Sequence, residues 1–428
     1  MRREALSRTL LLARRVIGDF EVPDAEVLEA LARTRVAIVC DEANLRSWAA
    51  RYLITTLSRL VTSEGCSTRL VPANIDSRAF DEWATLAATT LASSGRVIPG
   101  STATLAHRTT KSDLVFVVGD TQWEGEASHA WRLIGDSWSG AMRQFGHSGH
   151  LWDARLPFGA GIAAAIASAE PFKAALRSVC RKSCTAPPVP ELLESTPEAS
   201  FEIQGAGERT AIDLGRVDFV SAGAITSCAM HVLLNVPGLR MQARIFDNDR
   251  IERSNFNRYP LVERSDIGRP KVDVIASRRT EAIEIVPVPL QVNFESINSL
   301  EPLAPRVVVG ADSIPVRWLI QSLEPAWLGV GATAEFMTLT SEHPVGWPCA
   351  GCLHPADDDL RAVVPTVSFV SYWAGLLVAA RLIANVFCAR LDPGRQALLQ
   401  WALRMDLPTS VQWVAVTENV ACPLHHAA

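Results

Sequence analysis

The stretch Ile245–Lys271, IFDNDRIERSNFNRYPLVERSDIGRPK, concentrates residue types that can handle a polyphosphate. Asp247 ends a short apolar run, Met241–Phe246, and an Asn, an Arg and a Lys follow at Asn255, Arg258 and Lys271. A carboxylate at the end of a strand suits the hydroxyls of a ribose, and an amide with two cations behind it suits the oxygens of a triphosphate. One strand–helix–strand unit upstream, Val217–Val220 reads as a strand and Ser221–Ser227 as its turn into a helix. Gly223 is the residue there that lets backbone N–H groups approach a phosphate, with Ser227 further into the helix. A solvated charged loop would explain these charges, but not their order behind a strand.

A second cluster is rich in sulfur. Cys349-Ala350-Gly351-Cys352 is a C-x-x-C pair, and Cys422-Pro423-Leu424-His425 is C-x-x-H. Three thiolates and an imidazole suit a closed tetrahedral zinc site, with His354 and His426 as rivals to His425 for the fourth position. A redox pair is the alternative, but nothing around it resembles a thioredoxin unit.

The elements that would position these groups alternate between strand and helix. In the N-terminal half, Arg35–Cys40 and Asp113–Gly119 read as strands and Leu45–Val61 as an amphipathic helix. Gly161–Leu176 reads as an Ala-rich helical stretch interrupted at Pro171. That alternation predicts an α/β fold with parallel, doubly wound sheets. The first strand turns through Asp41-Glu42-Ala43-Asn44, which lacks a glycine and carries two carboxylates that would repel a phosphate. Thr185–Ser200 holds four prolines and reads as an extended linker. The expected organisation is therefore 1–184, linker 185–200, and 201–428.

Taken together, Asp247, Asp249, Ser254, Asn255, Asn257 and Arg258, followed by Asp266-Ile267-Gly268 and Lys271, resemble the ThiF/MoeB and ubiquitin-activating enzyme superfamily. Val307–Ser313 with Arg317 behind it is similar to that family's strand ending in a magnesium-handling acid. The resemblance implies two Rossmann-like adenylation-type domains in one pseudo-dimeric chain, the first degenerate and the second active, with a zinc-tied C-terminal region. It implies ATP bound by Gly223, Ser227, Asp247, Asp249, Asn255, Arg258, Lys271 and Asp312. Arg258, Lys271 and Asp312 would serve the chemistry, Asp312 through Mg²⁺. The implied reaction is adenylation of the C-terminal carboxylate of a ubiquitin-like protein, releasing pyrophosphate, with transfer onward to a conjugating enzyme through a thioester if one of the chain's thiols serves. The alternative is adenylation of a sulfur-carrier protein or a peptide C-terminus without a thioester step. A non-catalytic peptide-binding scaffold is the third reading.

Two positions depart from the family pattern. Tyr259 stands where a Gln is usual, and Gly223 is the one glycine the phosphate loop keeps. The crossover stretch Pro355–Val370 also lacks the transfer cysteine of ubiquitin-activating enzymes. Cys180 and Cys184, flanking Arg181 and Lys182, are the expected transfer thiols, ahead of Cys228 and Cys388. Arg8 and Arg14 read as part of a basic helix facing solvent, although in the family an arginine from the partner half reaches the ATP site.

Composition bounds the remainder. With 428 residues, 48% of them hydrophobic, the chain can bury two domains. A net charge of −5 offers no footprint for nucleic acid. Nine cysteines, an odd number, suit a reducing cytoplasm, and the start does not read as a signal peptide. Val363–Ala380 is uncharged, but its Pro365, Thr366, Ser368 and Ser371 fit a buried helix better than a membrane span.

Overall fold

The computed structural model describes residues 1–18, 22–73, 80–92, 98–111, 114–182, 198–203, 207–209, 211–357, 365–387 and 392–424. Cys184, Cys388, His425 and His426, and most of the expected linker, lie outside them.

The first sheet is built on apolar runs that must be covered on both faces. Its strands are β1 (Arg35–Cys40), β2 (Ser67–Pro72), β3 (Ala103–Leu105), β4 (Leu114–Val118), β5 (His129–Gly135), β6 (Ser139–Gln144) and β7 (Glu198–Glu202). They lie in the order β3-β2-β1-β4-β5-β6-β7, parallel as far as β5 and antiparallel beyond. β7 comprises residues that the sequence divides between the linker and the second half, yet it closes the first sheet.

The second sheet comprises β8 (Ile212–Val220), β9 (Leu239–Phe246), β10 (Ile283–Val288), β11 (Arg306–Val309), β12 (Trp327–Ala334), β13 (Met337–Pro344), β14 (Ala397–Trp401) and β15 (Val411–Val414). Its order, β10-β9-β8-β11-β12-β13-β14-β15, repeats the first strand for strand and adds one. Both sheets are thus mixed rather than wholly parallel.

The helices are α1 (Arg2–Ala5), α2 (Ser7–Ile17), α3 (Asp24–Arg33), α4 (Glu42–Arg46), α5 (Trp48–Ser63), α6 (Phe80–Ala92), α7 (Phe158–Lys182), α8 (Ala224–Leu233), α9 (Lys271–Ala276), α10 (Ile314–Gln321), α11 (Ala350–Leu353) and α12 (Ser368–Val386). The helix expected over 45–61 is divided, because Ser47 turns extended and its hydroxyl caps the N–H of Ala50. The interruption expected at Pro171 does not occur: α7 runs through it. Its Ala-rich faces are buried, and that packing outweighs the one backbone hydrogen bond a proline forfeits.

Winding on both faces holds for the second sheet, where α8 and α12 cover one side and α10 packs on the other. In the first half the described helices all share one face. The opposite face, Ala37, Val39, Val115 and Val117, is covered by loop residues such as Trp123, Ala127 and Phe145. The β4–β5 connection is too short and polar to form a helix there.

The halves meet through α5, α7, α8 and α12, whose side chains form one continuous core. The Tyr52 and Tyr372 hydroxyls hydrogen-bond at 2.9 Å, and the Phe172 ring meets Phe336 and Phe369. Gly375 lets α12 and α8 touch: a Cβ there would stand 2.4 Å from Cys228 Cβ and 2.6 Å from the Ala229 nitrogen. α12 is long and apolar enough to cross a membrane, but 89% of its apolar window is buried inside the protein.

Candidate functional site

A cleft of about 490 Å³ opens where β8 and β11 diverge into their following segments, the switch point of the second sheet. Into it come Gly223, Asp247, Asp249, Asn255, Arg258, Lys271 and Asp312, all expected from sequence, together with Arg8 and Tyr259. Ser227 is not brought in. It is fully buried on α8, and its hydroxyl has no hydrogen-bond partner among the described residues.

The turn after β8 is tied directly to the acid at the end of β9. Asp247 Oδ2 accepts from the Ala222 N–H at 2.7 Å, and Oδ1 accepts from the Asp249 N–H at 2.8 Å. Ser221 holds φ at 83°, a conformation more usual for glycine, and its Oγ accepts from the Gly223 N–H at 3.0 Å. This bent turn exposes the N-terminus of α8, where Gly223 is the N-cap. The glycines that the sequence lacks are thus replaced by one strained serine.

The cations sit across from that turn. Lys271, the first residue of α9, donates to Asp249 Oδ2 at 2.7 Å and is 9% exposed. Burial pulls its ammonium down, but Tyr259, Asp247 and Asp249 outweigh that and raise it above the usual lysine value. Arg258 donates to the Ser254 carbonyl at 2.6 Å and to Asn257 Oδ1 at 2.8 Å, which fixes the guanidinium. Its Cζ lies 5.4 Å from the Tyr259 ring centre, and Lys271 Nζ lies 6.0 Å from it. The unexpected aromatic residue therefore spaces the two cations. Asn255 Oδ1 accepts from the Glu252 N–H at 2.9 Å, which shapes the loop carrying Arg258.

Arg8 corrects the sequence reading. It does not face solvent but lines the cleft, because α2 buries Leu10, Leu12, Ala13 and Ile17 and docks on the Arg258 loop. Asn257 Nδ2 secures that docking by donating to Thr9 Oγ1 and to the Thr366 carbonyl, both at 3.1 Å. Burial and then the Arg258 guanidinium lower the Arg8 pKa, while Asp312, Tyr259 and Glu252 pull it the other way. Arg14 lies outside the cleft and pairs with Asp24 at the surface. The Ser7-Arg8 dipeptide was the available signal, but nothing in the sequence shows which face of α2 is docked.

Asp312 is exposed just past β11. Behind it Arg317, 4% exposed, donates to the Ala311 carbonyl at 3.2 Å and contacts His354 Nε2 at 3.1 Å. Burial lowers the Arg317 pKa to about 10, opposed by Asp312.

The sulfur cluster assembles. Cys349 Sγ lies 3.4 Å from Cys422 Sγ and 3.8 Å from Cys352 Sγ, all buried. Three thiolates around a tetrahedral zinc, with bonds of about 2.3 Å, stand roughly 3.8 Å apart, so the donor set fits such an ion. Burial and the neighbouring Cys422 thiol push Cys349 up to about 12. His354 Nε2 turns to Arg317, so that nitrogen does not point at the thiols. His425 lies outside the described residues.

Of the four candidate transfer thiols, Cys184 and Cys388 lie outside the described residues, and the other two are buried. Cys180 is 6% exposed and its pKa is raised by burial. Cys228 is fully buried, donates to the Arg258 carbonyl at 3.7 Å, and is likewise raised by burial. A thiol that attacks an acyl group needs exposure and a lowered pKa.

Fold and cleft together define an α/β protein with a Rossmann-like nucleotide crevice. Residues 199–411 match the ThiF family, and that span of the chain is a ThiF family domain. An uncharacterized protein, y4jF, of Sinorhizobium fredii is 24% identical over 58% of this chain and 48% of its own length. The sulfur carrier protein adenylyltransferase of Thermus thermophilus is 27% identical over 42% of this chain and 71% of its own. The NEDD8-activating enzyme E1 catalytic subunit of Arabidopsis thaliana is 32% identical over 29% of this chain and 28% of its own. This chain therefore spans less than half of the first and third of these relatives.

Proposed function

We propose that this protein is an adenylyltransferase that activates the C-terminal carboxylate of a small carrier protein with ATP. The observation that carries this reading is the convergence of Asp247, Arg258, Lys271, Asp312 and Arg8 on one open cleft in a ThiF family domain. A carboxylate oxygen attacks the α-phosphorus of ATP, the bond from that phosphorus to the bridging oxygen breaks, and pyrophosphate leaves with the electron pair. Both reactants are anions, and the carboxylate is already ionised at pH 7, so the site must supply positive charge rather than a base. Arg8, Arg258 and Lys271 supply it. Asp247, whose oxygens retain lone pairs beyond their two backbone bonds, takes the ribose hydroxyls. Mg²⁺ would be held by Asp312, which is exposed on the cleft wall, and would neutralise phosphate charge when bound. Zinc would be held by Cys349, Cys352 and Cys422, tying the C-terminal segment to the α11 turn.

The carrier is a ubiquitin-like or sulfur-carrier protein, in keeping with what two of the relatives are named for. A route without an enzyme thioester is favoured by the burial of Cys180 and Cys228 and by a crossover stretch without cysteine. The alternative, transfer through a thioester to a conjugating enzyme, would require Cys184 or Cys388. Calorimetry with Mg-ATP, followed by ATP–pyrophosphate exchange with a ubiquitin-like protein ending in Gly-Gly, tests the reading. We expect Mg-ATP binding, and exchange that disappears when the carrier's C-terminus is amidated. Failure to bind Mg-ATP overturns the reading, and a reductant-sensitive enzyme adduct would restore the thioester route.

A further inference from the structure

A second cavity, of about 330 Å³, opens on the seam between the halves, behind the Arg258 loop and outside the cleft already described. That volume falls within the range of small-molecule sites. Its walls come from α5 and α6 of the first half, the end of α8, and the Pro260–Glu263 segment of the second.

On α5, positions 48, 51, 52, 55 and 59 fall on one face at helical spacing, and all five line the cavity. Trp48 stacks on Tyr52 with ring centres 5.9 Å apart and planes at 12°, and Tyr52 stacks on His231 at 5.5 Å and 25°. These rings form a ladder, and all three line the cavity. Burial and then Arg59 hold the His231 pKa at about 4, so at neutral pH this rung is an uncharged ring.

Three guanidinium groups, Arg51, Arg59 and Arg278, line the same space, against the one carboxylate of Glu263. Arg59 is 4% exposed and donates to the carbonyls of Tyr259 and Val262, so its position is fixed by the fold. Arg278 donates to the Leu261 carbonyl and to Glu263 Oε1, both at 3.1 Å. Cations held by backbone carbonyls beside flat rings form a built site for an anion that also carries a ring.

We propose that this seam cavity binds a planar aromatic ring carrying a phosphate, the chemistry of a nucleoside monophosphate. The ring stacks on the Trp48–Tyr52 ladder and the phosphate meets the guanidinium groups. Because Arg59 grips the Tyr259 carbonyl, and the Tyr259 ring lies in the other cleft, occupancy of the seam bears on the wall that spaces Arg258 and Lys271. The proposal does not rest on the adenylation reading.

The test uses the full chain with its first cleft saturated by a non-hydrolysable ATP analogue, AMPCPP, and Mg²⁺. 5′-AMP and 5′-UMP are then titrated by calorimetry. One further equivalent should bind, and Arg278→Ala should weaken it at least tenfold while leaving the affinity for AMPCPP within twofold. Arg51→Gln, at the partly exposed rim, should weaken it in the same way and covers the case in which Arg278→Ala fails to fold. Should the first cleft take no AMPCPP, the adenylation reading fails by itself, and the titration is repeated without it. The proposal is overturned if neither nucleotide binds a second equivalent, or if binding survives both seam substitutions unchanged.

Discussion

Replacing Asp247 by Asn keeps the shape of the side chain and removes its charge. In the folded protein each oxygen of Asp247 accepts from a backbone N–H, at 2.7 Å from Ala222 and 2.8 Å from Asp249. An amide satisfies one of these donors and presents N–H to the other, on a residue only 8% exposed. A hydrogen bond to a charged group contributes about 1.5–3 kcal/mol, so Asp247→Asn should lower stability by about 2–3 kcal/mol. The ribose loses a charge-assisted acceptor of the same order, so Mg-ATP should bind roughly 10- to 100-fold more weakly. Urea denaturation gives the first quantity and calorimetry the second. Asp249→Asn is the control: its carboxylate is 65% exposed and pairs with Lys271 at the cleft edge, so stability should change by less than about 1 kcal/mol. If Asp247→Asn unfolds at the wild-type urea concentration and binds Mg-ATP with wild-type affinity, Asp247 neither holds the turn nor takes the ribose.

Three further outcomes are expected. Asp312→Ala should abolish pyrophosphate exchange while circular dichroism and denaturation midpoint stay near wild type, since Asp312 is exposed. Arg258→Ala should abolish exchange and also lower stability by about 1–3 kcal/mol, since the fully buried Asn257 Oδ1 loses its donor. Exchange at the wild-type rate in either variant removes that residue from the site. Cys349→Ser and Cys422→Ser should each lose bound zinc by elemental analysis and lower the melting temperature; full zinc occupancy in both would show that the ion is held elsewhere. Stability should fall on acidification, because burial lowers His231 and His343 to about 4 each, against an ordinary 6.5. Their contribution is complete above pH 6.5 and is lost as pH falls toward 4, about 2 kcal/mol for each by pH 5. A flat denaturation profile between pH 7 and 5 would show that these rings titrate freely.

What the sequence revealed and what it concealed divide along physical lines. Asp247, Arg258 and Lys271 were legible because local order behind a strand determines where a side chain emerges, and the structure brings all three to one cleft. Asp312 was named through the family resemblance of Val307–Ser313, and the structure places it just past β11 on the same cleft. Arg8 was not, because its place depends on α2 docking against Asn257, a contact between residues 248 positions apart in sequence. Ser227 was drawn from the same turn but lies on its inner side: Ala224 and Ile225 line the crevice, while Ser227 is fully buried. Pro171 shows propensity yielding to packing, and the bare face of the first sheet shows that strand alternation does not establish helices on both sides. The antiparallel strands β6 and β13 were invisible because their pairing is set by tertiary contacts.

The two sheets repeat one strand order, so the difference between their switch points lies in side chains rather than topology. In the first half, Asn44 Nδ2 donates to Asp120 Oδ1 at 2.8 Å, and Asn44 Oδ1 accepts from the Trp152 N–H at 3.3 Å. The fit leaves no space: a Cβ on Gly119 would stand 2.2 Å from Asn44 Oδ1 and 2.9 Å from the His150 carbonyl. Asp41 and Asp120 place two carboxylates where a phosphate would need cations. In the second half the corresponding turn is held open by Asp247 and the positive φ of Ser221, and Arg8, Arg258 and Lys271 face the gap. Restoring cations to the first half would not make a second site, because its space is already occupied by its own hydrogen-bonded side chains. Its contribution to the second site is instead mechanical and electrostatic: α5 and α7 brace the shared core, and α2 delivers the arginine.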